Sequence, residues 1–131
     1  MGSFSNYWED EILDHLFGKG AYTPPTIYVG LSTADPGDDG SGLSEPAGNG
    51  YARVATAASD WDTASGGTLD SAAAIQFNEA TGNWGTVTHF ALFDAASAGH
   101  LLAHGTLTQS KAIDSGDTVR FAAGDITVSL D

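Results

Sequence analysis

Cysteine is absent from the 131 residues, which excludes disulfides, thiolate nucleophiles, iron–sulfur clusters and thiolate zinc sites and leaves the redox compartment open. Lys and Arg together number 4 against 17 Asp and Glu, a formal net charge of −13. That balance argues against nucleic acid as a partner, because neutralising phosphates takes clustered cations. It argues equally against an anionic membrane surface, and no apolar run approaches the ~20 residues of a spanning helix. The opening residues carry no signal-peptide pattern, and Asn6 stands where myristoylation wants Ser or Thr. Charged residues of both signs reach only 16%, below the roughly 25% usual in soluble domains. Acidity with almost no Lys is either an ordinary acidic surface or a solvation strategy for high salt, where screening over a few Å makes like-charge repulsion cheap.

A chain of this length suits one domain, 1–131, able to bury roughly two thirds of its unfolded surface. The strongest helix pattern covers residues 5–18. Asn6 is placed to cap it, Glu9 follows three residues later as in a capping box, and Gly18 and Gly20 end it. Phe4, Trp8, Ile12, Leu13 and Leu16 share one arc of that helix, a face for packing on a core, while Tyr7 and Phe17 fall outside it and are free to cover a neighbouring subunit.

From about residue 26 the period becomes two. Residues 26–33 alternate Ile27, Val29 and Leu31 against Tyr28, Gly30 and Ser32 after Pro24-Pro25. Residues 34–50 are Gly, Pro, Asn, Asp and Ser almost throughout, a long acidic loop expected to face solvent. Further strands are expected at 51–56, around Ile75, at 86–94, at 101–108, and at 118–122 and 126–130 joined at Gly124-Asp125. Residues 86–94 place Val87, His89, Ala91 and Phe93 on one face and Phe90 and Leu92 on the other, so this strand is central. The expected architecture is mainly β: an antiparallel β-sandwich of about seven strands over 26–131 with one N-terminal α-helix.

Few residues carry chemistry. Asp35, Asp38 and Asp39 stand around glycines as calcium ligands do, yet Gly37 and Pro46 occupy two positions that an EF-hand gives to oxygen ligands. His89 and His104 lie on neighbouring strands and can face each other, but two ligands do not make a zinc site and structural histidines are the expectation. No G-x-S-x-G elbow or phosphate-cradling loop is present. Asp60 and Asp62 flank Trp61, and side chains two apart on a strand lie ~7 Å apart with nothing to separate their pKa values, so a hydrolase built on them has no motif behind it. Trp61, among Ser, Asp and Thr, is the candidate for stacking on a glycan. Neither catalytic nor cofactor-binding residues emerge.

The segments FSNYWEDEILDHLFGKGAYTPP, TIYVGLSTADP, GNGYARVA, NWGTVTHFALFDAASAGHLLAHGTLT and SGDTVRFAAGDITVSLD run nearly end to end through the chain. In them it resembles a family of small virion-associated proteins of tailed phages, labelled phage tail fibre or minor tail proteins. The resemblance implies a structural subunit of a virus particle, tail- or fibre-associated or capsid-decorating, that works through contacts with its own copies and other virion proteins. Tyr51, Arg53, His89 and Arg120 occupy its recurring positions and carry fold or subunit contacts. Phe4, Tyr7, Trp8 and Phe17 of the helix join Arg53 and Arg120 as contact candidates. The two arginines are natural partners for Asp or Glu across a strand or an interface. The acidity sets the chain apart from the family pattern and suggests a saline host, bacterial or haloarchaeal. A host-surface glycan is the alternative partner.

Overall fold

The computed structural model describes residues 2–130; Met1 and Asp131, the ends of the expected domain, lie outside them. The elements in chain order are β1 (Gly2–Phe4), α1 (Asn6–Leu16), β2 (Tyr28–Ser32), β3 (Val54–Ala55), β4 (Thr68–Asp70), β5 (Ile75–Gln76), β6 (Gly85–Phe93), β7 (Leu101–Ile113), β8 (Arg120–Phe121) and β9 (Thr127–Ser129), with one turn of 3-10 helix at Ala58–Asp60. Seven strands form a curled sheet in the order β3-β2-β6-β7-β1-β9-β4, and β5 pairs with β8 in a small second sheet. The result is a sandwich or half-barrel, mostly β, with one helix.

Hydrophobic alternation explains the centre. β6 pairs antiparallel with β2 on one side, matching Leu92 to Val29 and Phe90 to Leu31, and with β7 on the other, matching Leu92 to Ala103. These side chains share the inner face and meet Ile75, Phe77, Trp84, Ile113, Phe121, Ile126 and Val128 in one buried cluster. The outer face of the same strands carries His89 beside Ser32 and Thr106, Ala91 beside Gly30 and His104, and Phe93 beside Tyr28 and Leu101. Both faces are covered, as expected for a central strand. Val87, however, belongs to the inner cluster rather than to the His89 face. The ladder with β7 breaks between Val87 and His89, and an irregularity there shifts the alternation of side chains.

Three expectations from the sequence are corrected. The N-cap is Ser5, whose Oγ accepts from the Trp8 N–H at 3.3 Å and donates to the Leu101 carbonyl, so one hydroxyl both caps α1 and ties it to β7; Asn6 is the first helical residue. No residue of α1 is buried, and Leu13 and Leu16 stand in solvent, because only the start of the helix lies over β7. The two closing strands, expected at 118–122 and 126–130, are shorter and part company after the Gly124-Asp125 turn: β8 joins β5, and β9 joins β1 and β4. Leu130 is consequently exposed while Ile126 and Val128 are buried.

β1, like β4, has no counterpart among the strands expected from the sequence. It enters between β7, antiparallel, and β9, parallel, adding one parallel pair to a sheet that is otherwise antiparallel. A Cβ on Gly2 would stand 2.7 Å from Phe90 Cζ and closer still to the His104 carbonyl, so this inner position takes only glycine.

Candidate functional site

The loop of residues 34–50 does not float free. It folds over the outer face of β2, β6 and β7. Thr33 N–H bonds the Ser44 carbonyl at 2.9 Å, Ser44 N–H bonds Ser32 Oγ at 3.1 Å, and Asn6 N–H bonds the Asp38 carbonyl at 2.9 Å. Asx turns set its shape: Asp35 Oδ1 accepts from Gly37 N–H at 3.0 Å and Asp39 Oδ1 from Ser41 N–H at 2.9 Å, and the latter bond holds the Asp39 carboxyl below its ordinary pKa. Pro36 is buried beneath, while the carboxylates of Asp35, Asp38 and Asp39 point outward.

Under this strap lie two polar groups of side chains. In the first, Arg53, immediately before β3, makes a fork on Glu45, Nε to Oε2 at 2.9 Å and a terminal nitrogen to Oε1 at 2.6 Å. Its other terminal nitrogen donates to the carbonyls of Ala95 at 2.8 Å and Ala98 at 2.9 Å, and its carbon centre sits 3.5 Å from the Phe93 ring centroid. Tyr51 Oη donates to Glu45 Oε2 at 2.6 Å and accepts the Leu31 N–H at 3.0 Å. Burial, and donation to a carboxylate, raise the Tyr51 pKa far above its ordinary value, so the phenol is neutral. The Arg53 side chain is only 5% exposed, and its hydrogen bonds are all made within the chain.

In the second group, His89 and His104 share the outer face but stand on a diagonal, opposite Thr106 and Ala91 respectively. Thr88 Oγ1 pairs with His89 Nδ1 at 2.7 Å, and His104 Nε2 with Asp38 Oδ1 at 3.0 Å. Asp35 Oδ1 stands 4.0 Å from His89 and 3.8 Å from His104. Of the calcium candidates Asp35 and Asp38 thus face histidines and Asp39 caps its own turn, and among the described residues no three His, Asp or Glu side chains are grouped as a metal ion requires.

The remaining candidates lie elsewhere. Tyr7 stacks flat on His100, centroids 3.9 Å apart, and His100 in turn bonds Asp94 through its N–H at 2.7 Å and its ring at 2.9 Å. Trp61 donates its indole N–H to Thr56 Oγ1 at 2.9 Å and lines, with Phe4, Trp8, Ile27, Leu69 and Val128, an apolar groove of about 210 Å³. Asp60 Oδ2 accepts from Ala57 N–H at 2.8 Å and closes the 3-10 turn, so it is not free beside Asp62. Arg120 is exposed on β8, where it lines a cleft of about 500 Å³ together with Lys111 of β7. Phe17 is exposed at the end of α1. Sequence reasoning missed the Glu45 partner of Arg53, the Tyr7–His100 stack and that cleft. Only Glu45 had a signal, as an acid a short loop away from a lone arginine.

These features describe a scaffold held by internal polar contacts, with its bare surfaces at the helix end and the β7–β8 cleft. A search among curated proteins finds no match. A family model described as "Podophage GP4 fiber I protein gp80" matches residues 3–129, so the chain belongs to this phage tail fibre family and is part of the virion.

Proposed function

We propose that the protein is a fibre subunit that works through contacts with copies of itself and with other virion proteins, and that it catalyses nothing. The observation that carries this is the apolar stripe of α1. Trp8, Ile12 and Leu16 follow one another at four-residue steps on one side of the helix. Trp8 and Ile12 are half-buried, Trp8 packing on Phe4 at 4.5 Å between centroids, whereas Leu16 is 70% and the adjacent Phe17 76% exposed. One end of the stripe is covered and the other bare. A covering surface is supplied by a neighbour, since exposed apolar residues grouped in this way mark interaction sites. The family match supports a fibre subunit over a capsid-decorating one.

Light scattering coupled to size exclusion tests it. The wild type forms a defined oligomer, and the double substitution Leu16→Asp, Phe17→Asp dissociates it into folded monomers with the wild-type circular-dichroism spectrum, because neither residue contributes to the core. A wild type that stays monomeric at high protein concentration and at both low and molar salt overturns the self-association reading.

A second reading, recognition of a host-surface glycan, has its own support, though away from Trp61. The Trp61 indole N–H is already bonded and its groove offers almost no polar group to a sugar, whereas the cleft between β7 and β8 offers hydroxyls, an amide and two cations.

A further inference from the structure

In a chain with 17 acids and 4 Lys and Arg, only one of the four cations has an Asp or Glu within 4.0 Å among the described residues, and two of the others share one hollow. Arg53 has its partner in Glu45. Lys111 and Arg120 are exposed, line one cleft, and have no Asp or Glu among the described residues within 4.0 Å. Asp125 lines the same cleft, but its Oδ2 accepts from Ala122 N–H at 2.8 Å.

A break in the β6–β7 ladder creates the cleft. Val87 pairs with Lys111 and His89 with Thr106, so the four residues 107–110 stand opposite Thr88 alone. An ordinary bulge adds one residue to a strand. This excursion is larger, and it carries Thr108 and Gln109 to the rim of a hollow of about 500 Å³. That volume falls within the roughly 300–1,000 Å³ of small-molecule sites. Thr106 and Thr118 add hydroxyls to the wall, and the buried side chains Val87, Phe90, Ile113 and Phe121 form an apolar floor.

Each part of this lining selects a chemistry. Two cations select an anionic group, which they bind by charge-assisted hydrogen bonds. Hydroxyls and an amide, which both donate and accept, select a ligand rich in hydroxyls. An apolar floor suits the C–H face of a sugar ring. A single negative group on an otherwise neutral sugar meets Lys111 and Arg120 in this lining, against one acid, Asp125.

We infer that the β7–β8 cleft binds an anionic saccharide, its carboxylate or phosphate held between Lys111 and Arg120 and its ring hydroxyls on Thr108 and Gln109. This rests on the glycan reading and specifies its site and ligand class. The test is calorimetric titration of the full chain at 0.15 M NaCl with a galacturonate trisaccharide, galactose 6-phosphate and a galactose trisaccharide. At least one anionic probe binds, identifying carboxylate or phosphate as the recognised group, and the neutral trisaccharide does not. Lys111→Gln and Arg120→Gln each weaken binding roughly tenfold, the loss of one charge-assisted bond, with unchanged melting temperatures, while Trp61→Phe binds as the wild type does. Binding of the neutral probe as tightly as the anionic ones, or binding lost in Trp61→Phe and kept in both Gln variants, overturns the cleft and leaves glycan recognition standing. Heat from none of the three overturns the proposal, and a broad array of neutral glycans then decides the wider reading separately. Variants that alter self-association but bind the probes as before overturn it in favour of a contact between copies.

Discussion

Arg53→Ala is the most demanding test of how this fold is held. The substitution removes the fork on Glu45, two bonds to the carbonyls of Ala95 and Ala98, and the cation over Phe93. Glu45, whose side chain is 21% exposed, keeps its charge and retains only Tyr51 as a donor. Removing one partner of a buried ion pair typically costs about 3–5 kcal/mol, because the other charge is left without compensation. Partial exposure of Glu45 places the expected loss at the lower end, roughly 3 kcal/mol. For a chain of this size each kcal/mol moves the melting temperature by about 4 °C, which gives a fall of about 12 °C. Arg53→Lys keeps the charge but not the planar fork, and falls by about half as much. The pair Arg53→Met, Glu45→Gln closes a double-mutant cycle. With no charge left buried, the double variant is more stable than the sum of the single losses predicts by more than about 1 kcal/mol. Urea unfolding followed by circular dichroism measures the wild type, Arg53→Ala, Arg53→Lys and both single members and the double of the cycle. A loss below about 0.5 kcal/mol for Arg53→Ala, the size of a surface substitution, refutes the assignment of Arg53 to the interior.

Gly30→Ala attacks the same network from the sheet: its Cβ would stand 2.8 Å from Phe93 Cε2 and 2.9 Å from Tyr51 Oη, and the overpacking lowers stability by about 1–3 kcal/mol in the same assay. Salt stabilises the protein, since raising NaCl from 0.1 to 1 M shortens the screening length from ~10 to ~3 Å and relieves the repulsion among unbalanced charges; a melting temperature that stays flat or falls removes the basis for a saline host. Burial opposes ionisation of Asp94, but the backbone N–H and ring of His100 outweigh it, so the Asp94 carboxyl sits below its ordinary pKa. A lowered folded-state value contributes stability that is present above the unfolded pKa of ~3.9 and is lost as pH falls through the folded one. Asp94→Asn is therefore less stable than wild type at pH 7, and the gap narrows below about pH 4; a gap that widens there contradicts the linkage.

The elements legible in the sequence are those whose period survives over many residues. β6 shows its alternation across nine residues, and its central place follows from apolar side chains on both faces. β1 is three residues, Gly-Ser-Phe, too short for a period, and its place is decided by β7 and β9, whose sequences lie about a hundred residues away. The helix was legible as a helix, and its cap was off by one because Ser5 and Asn6 have equal claims locally. What settles the choice is the Leu101 carbonyl, a partner brought by the fold. Periodicity likewise tells which face of α1 is apolar, not how much of the helix finds sheet beneath it. Val87 was assigned to the wrong face for a related reason: strict alternation carries through a strand on paper, while a ladder irregularity interrupts it in space.

The candidate site depended even more on what distant segments bring together. Composition made the acids conspicuous, and Asp35, Asp38 and Asp39 drew attention as a cluster, yet each is occupied by a turn N–H or faces a histidine. In a chain with a net charge of −13 an acid carries little positional information, because acids are everywhere. A cation carries much. One of the four is locked between Glu45 and two carbonyls, where it fixes the strap to the sheet. Two line a single cleft from strands that follow one another in the sequence but belong to different sheets. Both are exposed in one hollow and neither has an Asp or Glu within 4.0 Å among the described residues, which leaves both available to a negative group of a ligand. For so acidic a fibre protein, the arrangement of its few cations says more about what it touches than the abundance of its acids.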